Sequence, residues 1–432
     1  MRTVFLLLLL NALVPVLAQT DYASVATAAD DLDEQVIAWR RHVHEHPELS
    51  NREFETAAYI ARHLEKLGME VKTGVAHTGV VGILKGGRPG PTVALRADID
   101  ALPVTERADL PYASKATGEY RGETVGVMHA CGHDTHVAML MGAAEVLSAR
   151  REELPGTVVF LFQPAEEGAP VGEEGGAELM VKEGVLTDYN VEAAFGIHIN
   201  SQTPVGHVNY KPGGLMAAAN RFEIVVHGKQ AHGSTPWAGV DPITTAAQIA
   251  VGLQMIVARQ SELTKEAVVI SLGVIEGGVR NNIIPEEVRM IGTIRTLDEE
   301  MKQEVFERIR TTATNIAESA GATAEVTIDK GYPVTYNDPE MTDRMLPTVE
   351  ATVGAENVHL VNAITGAEDF SFFALEVPSV FYFLGGMDPA MDASEAAGHH
   401  TPDFVIDERG LKYGVRLYTN LALDYLQGQD GK

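Results

Sequence analysis

The sequence predicts an α/β fold: a mostly parallel sheet flanked by helices, interrupted by a smaller inserted α+β domain. Short apolar runs at 80–84, 92–97, 157–163 and 193–199 are separated by helix-length stretches, the pattern of a sheet buried on both faces. A second texture begins near Met216, with strand-like runs at 221–227, 267–275, 288–296 and 324–328 and helical ones at 242–262 and 298–319. Helices covering one antiparallel sheet fit that order. After about Asp329 the first texture returns, with a strand at 379–384 and a closing helix at 410–426.

The remaining elements follow from their end signals. A polar-apolar pattern over 31–46 reads as a helix stopped by Pro47, and 53–67 as a second, with Gly68 placed to terminate it. A third helix is expected over 134–150. The division that results is 19–215 with 329–432 for the large domain and 216–328 for the insert. Residues 1–18 read as a cleavable signal peptide: a positive start at Arg2, an apolar stretch from Phe5 to Ala18 too short to span a membrane, and small residues at its end. The expectation is a mature protein beginning near Gln19, soluble, and periplasmic or secreted. No later segment has the length of a transmembrane helix.

The charge excludes some partners. Lys and Arg total 33 against 60 acidic residues, a net charge of −27, which repels nucleic acid and anionic membrane surfaces. There is no fixed-period repeat and no low-complexity tract, so solenoids and propellers are not expected.

Cys131 is the sole cysteine of 432 residues, and it lies in Met128-His-Ala-Cys-Gly-His-Asp-Thr-His136. It has no disulfide partner, and a free exposed thiol outside the cell would oxidise. Coordination to a divalent metal deprotonates and occupies the sulfur. A buried core cysteine is the alternative, which the neighbouring glycine and histidines argue against.

Other polar residues cluster at the C-terminal ends of the apolar runs, the edge where ligand sites of open α/β sheets gather. Asp98 and Asp100 follow one run, Glu166 and Glu167 another, and His198 lies near the end of a third. Taken alone, the glutamate pair suits a solvated loop, and His198 a satisfied core histidine. Beside a metal the pair permits a division of labour: one carboxylate binds the ion and the other takes a proton from water. Cys131, His133, Glu167, His198 and His400 are more donors than one tetrahedral ion needs, and about right for two ions sharing a bridge.

At this point the chain resembles the M20 family of metallopeptidases and amidohydrolases, in the branch of hippurate hydrolases, N-acyl-amino-acid amidohydrolases and auxin-conjugate hydrolases. The resemblance runs from Arg41-His-Val-His-Glu-His-Pro-Glu48 through Arg96-Ala-Asp-Ile-Asp-Ala-Leu-Pro103, the Cys131 cluster and Gln163-Pro-Ala-Glu-Glu-Gly168. It continues through Gly196-Ile-His198, Ala231-His-Gly-Ser-Thr-Pro236, Gly277-Gly-Val-Arg-Asn-Asn-Ile-Ile-Pro285 and Glu368-Asp-Phe-Ser371 to His400-Thr-Pro402.

The resemblance implies two divalent ions (zinc or manganese, with cobalt or nickel also suited) bridged by Cys131, with His133, Glu167, His198 and His400 as the other ligands. It implies Glu166 as general base. Asp98, where other branches carry a metal-binding histidine, and Asp100 would orient the site without joining the ligand set. The insert is then a ferredoxin-like lid through which two chains dimerise. His232 would reach the partner's active site to stabilise the tetrahedral intermediate, and Asn282 would help hold substrate.

The activity implied is hydrolysis of N-acyl amino acids, hippurate-like or N-acetylated, to a carboxylic acid and an amino acid. Two alternatives remain. A secreted metallo-carboxypeptidase or dipeptidase would cut true peptides. A zinc-dependent binding protein would keep the fold without turnover, and the presence of Glu166 speaks against it.

Overall fold

The computed structural model describes residues 20–428, so the expected signal peptide at 1–18 lies outside the described residues. An eight-stranded sheet forms the large body. Its centre is four parallel strands side by side: Pro155–Gln163, Arg88–Asp98, Ala193–Pro204 and Ser379–Met387. Antiparallel pairs flank this centre on both sides. Gly79–Lys85 and Glu70–Val75 extend one edge, and Val208–Tyr210, itself parallel to Val358–Leu360, extends the other.

Strand periodicity decides which side chains meet which layer. Val93, Leu95, Ala97, Phe160, Phe162, Phe195 and Ile197 face the larger apolar core, under the helices His133–Ala149 and Leu411–Leu426. Ala94, Val159, Leu161, Ala194, Phe381 and Phe383 face a second core shared with Gly176–Lys182. Arg96, Asp98 and His198 have the parity of this second side. The register pairs Asp98 with Gln163 and Arg96 with Gly196, so Asp98 and His198 come level two residues beyond the last pair.

Helix His133–Ala149 is buried over most of its length. A helix enclosed on all sides needs no polar face, which is why 134–150 shows no amphipathic stripe. The insert has the order strand Ala218–His227, helix Pro242–Met255, strands Val268–Gly277 and Glu287–Thr296, helix Glu299–Ser319, strand Thr323–Asp329. This βαββαβ chain closes one antiparallel sheet with the first and third strands central, around its own apolar cluster that includes Phe222, Ile249, Met290 and Phe306.

Several elements differ from the sequence reading. The helix expected over 31–46 is Asp33–Glu45, and a further helix that was not read, Tyr22–Asp31, precedes it across Leu32; Asp21 caps that helix by accepting the Ser24 N–H at 3.0 Å. The helix expected over 242–262 passes into a π-helical turn at Ile256–Gln260. Strand Ala193–Pro204 runs on well past His198. Helix Pro339–Val353 was not read from the sequence, although Asp338 caps it and Pro339 opens it. Among the described residues no helix is long and apolar enough to cross a membrane.

Candidate dinuclear metal centre

Cys131 sits where the strand edge, the buried helix and a C-terminal loop converge. Gly132 makes the turn into the helix with φ +93°, and a Cβ there would lie 2.3 Å from Ile199 Cγ2. Only glycine satisfies both demands, and so Cys131 and His133, on either side of Gly132, are both delivered to the sheet edge. The Cys131 Sγ lies 3.4 Å from His198 Nε2 on one side and 3.3 Å from His400 Nε2 on the other. His400 Nε2 is in turn 3.1 Å from Glu167 Oε1. Donors bound to a common ion at about 2.0–2.3 Å stand roughly 3–4 Å from one another, so these separations suit ligand pairs.

Two of the three candidate histidines present Nε2 by a hydrogen bond at the opposite ring atom. His198 donates from Nδ1 to the Ile199 carbonyl at 2.6 Å, leaving Nε2 for the thiol side. His133 donates from Nδ1 to the Asp100 carbonyl at 2.9 Å and its Oδ1 at 3.2 Å. Its Nε2 is buried without a hydrogen-bond partner among the described residues and faces Asp98 Oδ2 at 3.6 Å and Glu166 Oε2 and Glu167 Oε1 at 3.9 Å. A lone pair ringed by carboxylates is unfavourable unless a positive charge stands between them. Burial works against a charged ring, yet Asp98 and Asp100 outweigh it and raise His133 to about 10. Burial, followed by Glu167, Glu166 and Asp98, pushes the Cys131 thiol well above its usual range, so its thiolate also calls for a cation. The residues therefore fit metal. Cys131, Glu167 and His400 form one group of convergent donors, Cys131, His198 and His399 a second, and His133, Glu166 and Glu167 a third.

The glutamate turn is anchored at three points. Ala165 holds φ +52°, and its N–H donates to the buried Glu53 carboxylate at 2.9 Å. The Tyr332 hydroxyl donates to the Glu166 carbonyl at 2.6 Å, and the Glu167 N–H to Asp100 Oδ2 at 3.0 Å. Burial, followed by Glu368, Glu167 and Asp369, raises the Glu166 carboxyl well above the ordinary range. A cleft of about 920 Å³ opens beside Glu167, lined by Leu49, Arg52, Leu102, Tyr120 and Val171 among others.

The structure separates the remaining sequence candidates. Asp98 accepts from His136 Nδ1 at 2.5 Å and from Arg96 Nη1 at 2.7 Å. His136 Nε2 accepts the Ile199 N–H at 2.8 Å, so both its ring nitrogens are committed and it stays outside the ligand groups around the sulfur. His129 is buried, and neither of its ring nitrogens has a hydrogen-bond partner among the described residues. His232 and Asn282 lie in the insert, side by side: His232 pairs with Ile283 in a short two-stranded ladder and the Gly233 N–H donates to the Asn282 carbonyl at 2.9 Å. His232 is exposed, and none of its contacts within the chain reaches the sulfur cluster.

Sequence reasoning missed the support beneath the site. Arg96 is 1 % exposed and donates to Gln163 Oε1 at 2.7 Å, Asp98 at 2.7 Å, Glu368 at 2.8 Å and Asp369 at 2.9 Å. The signal was available as the Arg96 and Glu368-Asp369 motifs, but their contact spans 272 residues. Ser234 donates its N–H to His232 Nδ1 at 3.0 Å, with its Oγ 2.7 Å from the same nitrogen.

Fold and site together define a mixed α/β protein with a cysteine-centred cluster of candidate metal donors at the edge of its large sheet. The model of peptidase family M20/M25/M40 matches residues 94–424, and the chain belongs to that family. It is 41 % identical over 400 residues to thermostable carboxypeptidase 2 of Saccharolobus solfataricus, covering 91 % of this chain and 96 % of that one. It is 39 % identical to an N-acetylcysteine deacetylase of Bacillus subtilis, covering 91 % and 97 %. Among solved structures, the Bacillus subtilis YXEP protein, described as a dinuclear metal-binding peptidase of the M20 family, superposes with a TM-score of 0.78 at 37 % identity, covering 92 % and 99 %.

Proposed function

We propose that this M20 hydrolase cleaves the amide bond of N-acyl amino acids, with two divalent ions bridged by Cys131 and held by His133, Glu167, His198 and His400. The observation that carries the reading is the position of the Cys131 sulfur between His198 on one side and the His400–Glu167 pair on the other. Bound there, divalent ions would polarise the amide carbonyl and make water acidic enough to attack it. Glu166 takes the proton from water as the new C–O bond forms and returns it to the leaving amine, whereupon the C–N bond breaks and the carboxylic acid and amine separate. Asp100 holds His133 in its ligating tautomer and fixes the Glu167 backbone, while Asp98 locks His136 out of the ligand set. Thiolate and imidazole suit zinc, cobalt or nickel, and the carboxylates admit manganese; zinc or manganese is the assignment we favour.

His232 is assigned to the oxyanion of a partner subunit's site. Ser234 supports this: a backbone N–H can only donate, so Nδ1 carries the lone pair and Nε2 carries the proton of the neutral ring, ready to donate outward. The insert also leaves the edge strand Val268–Gly277 unpaired on its outer side, with Val269 and Ile275 exposed, beside exposed Val251 and Met255. We assign this face to a homodimer and Asn282 to substrate. Residues 1–18 are assigned as an export signal that places the mature enzyme in the periplasm or outside the cell, which N-terminal sequencing of the exported protein would check.

The carboxypeptidase relative favours a second reading, cleavage of true peptides. A release assay over N-acetyl, N-benzoyl and indole-acyl amino acids and dipeptides separates the two. N-acyl amino acids should be turned over fastest, with activity lost to a chelator and restored by added zinc, manganese or cobalt. Faster release from dipeptides, or full activity in chelator, contradicts the proposal.

A further inference from the structure

His399 belongs to none of the roles above, yet its ring lies against the sulfur. The Ser201 N–H donates to His399 Nε2 at 3.3 Å. That nitrogen therefore carries the lone pair, and the neutral ring holds its proton on Nδ1. Nδ1 stands 3.1 Å from the Cys131 carbonyl oxygen and 3.7 Å from Cys131 Sγ. The loop bearing it is docked twice more: the Ser201 hydroxyl donates to the Ala397 carbonyl at 2.8 Å, and the His400 N–H to the Ala130 carbonyl at 2.8 Å. The Phe404 ring packs on His399 with centroids 4.8 Å apart.

His399 thus has the reach of a metal ligand, grouped with Cys131 and His198, but the wrong tautomer for one. A protonated Nδ1 has no lone pair to give. It has an N–H to give, and the nearest acceptors are the carbonyl and sulfur of Cys131.

We propose that His399 is a positioning residue that donates its Nδ1–H to Cys131, orienting the thiolate and drawing charge off the sulfur that the two ions share. The proposal rests on the reading of Cys131 as the bridge. A hydrogen bond to a coordinated sulfur withdraws electron density from it, which tunes the metal–sulfur bond. Partners of this kind also fix the ligand's direction, and removing one typically costs about 10–100-fold in metal affinity.

The test uses the full-length cobalt-loaded enzyme, with metal counted by elemental analysis and the thiolate-to-cobalt charge-transfer band followed in the near ultraviolet. In His399→Phe both ions should remain, the band should move to lower energy, and metal affinity should fall roughly 10–100-fold. His399→Gln, which keeps an N–H donor, should fall between that variant and the native protein. In the native protein, ¹⁵N correlation spectra of the histidine rings should show His399 protonated at Nδ1, a readout independent of how the variants fold. Loss of one ion from either variant even at saturating cobalt, or an unprotonated Nδ1, would make His399 a ligand. An unshifted band in a folded His399→Phe would reduce it to a loop brace. A native cobalt enzyme with no thiolate band would instead remove Cys131 as the bridge, which is a failure of the metal assignment itself.

Discussion

Cys131 joins the arguments from chemistry and packing at one atom. Its thiol is buried among Glu166, Glu167 and Asp98, a setting hostile to a thiolate unless cations offset those carboxylates. Cys131→Ser should therefore lose metal and activity together, because a serine hydroxyl stays protonated near neutral pH and ligates poorly. Elemental analysis alongside the release assay checks it, and normal metal content would make Cys131 structural. Arg96 is the second residue on which much depends. Burial works against its charge, but Glu368, Asp98 and Asp369 outweigh that and hold the guanidinium charged. Arg96→Met would strand those carboxylates without a counter-charge, at a cost of about 3–5 kcal/mol in unfolding free energy. Denaturant titration reads this, and a loss below about 1 kcal/mol would show that the carboxylates simply take up protons.

The strand ends and the turns after them convert distant sequence into one site. Glu167 and His198 were legible because chemistry-bearing residues recur at the same edge of successive strands, and Cys131 because it is the sole cysteine and stands among histidines. Arg96 and Glu368 were not legible as partners, since only the tertiary fold joins a strand to a loop 272 residues on. His399 was hidden by adjacency: in His399-His400 the motif points to the second histidine, and only the Ser201 bond reveals what the first can do. Helix Tyr22–Asp31 was missed because its pattern runs into the next helix with one residue between them, and strands of three residues such as Val358–Leu360 carry too little periodicity to read. Turn geometry itself is testable at Gly132. Gly132→Ala combines a left-handed φ with a Cβ 2.3 Å from Ile199, so it should cost about 1–3 kcal/mol and reduce metal uptake by displacing Cys131 and His133 together. Thermal unfolding with metal analysis checks both effects, and a native melting temperature would mean the turn can relax.

At the scale of the molecule, a catalytic body and an insert with its own core each hold part of the proposed machinery. His232 and Asn282 share one short ladder of the insert, while the donors surround Cys131 on the large sheet. If His232 acts across a dimer, the two inactive variants His232→Ala and Glu166→Gln should complement each other after subunit exchange. The mixed dimer holds one site with both residues intact, so recovery should approach at most about half of full activity if the sites act independently. No recovery despite demonstrated exchange, or a fully active monomer, would remove the shared site. The central claim is the division of labour between adjacent carboxylates, and the most direct measurement is metal content and turnover of Glu166→Gln beside Glu167→Gln. Glu166→Gln should retain two ions per chain while turnover falls by roughly two to four orders of magnitude, whereas Glu167→Gln should lose metal. A Glu166→Gln that empties the site while Glu167→Gln keeps its ions would contradict the account and reverse the two roles.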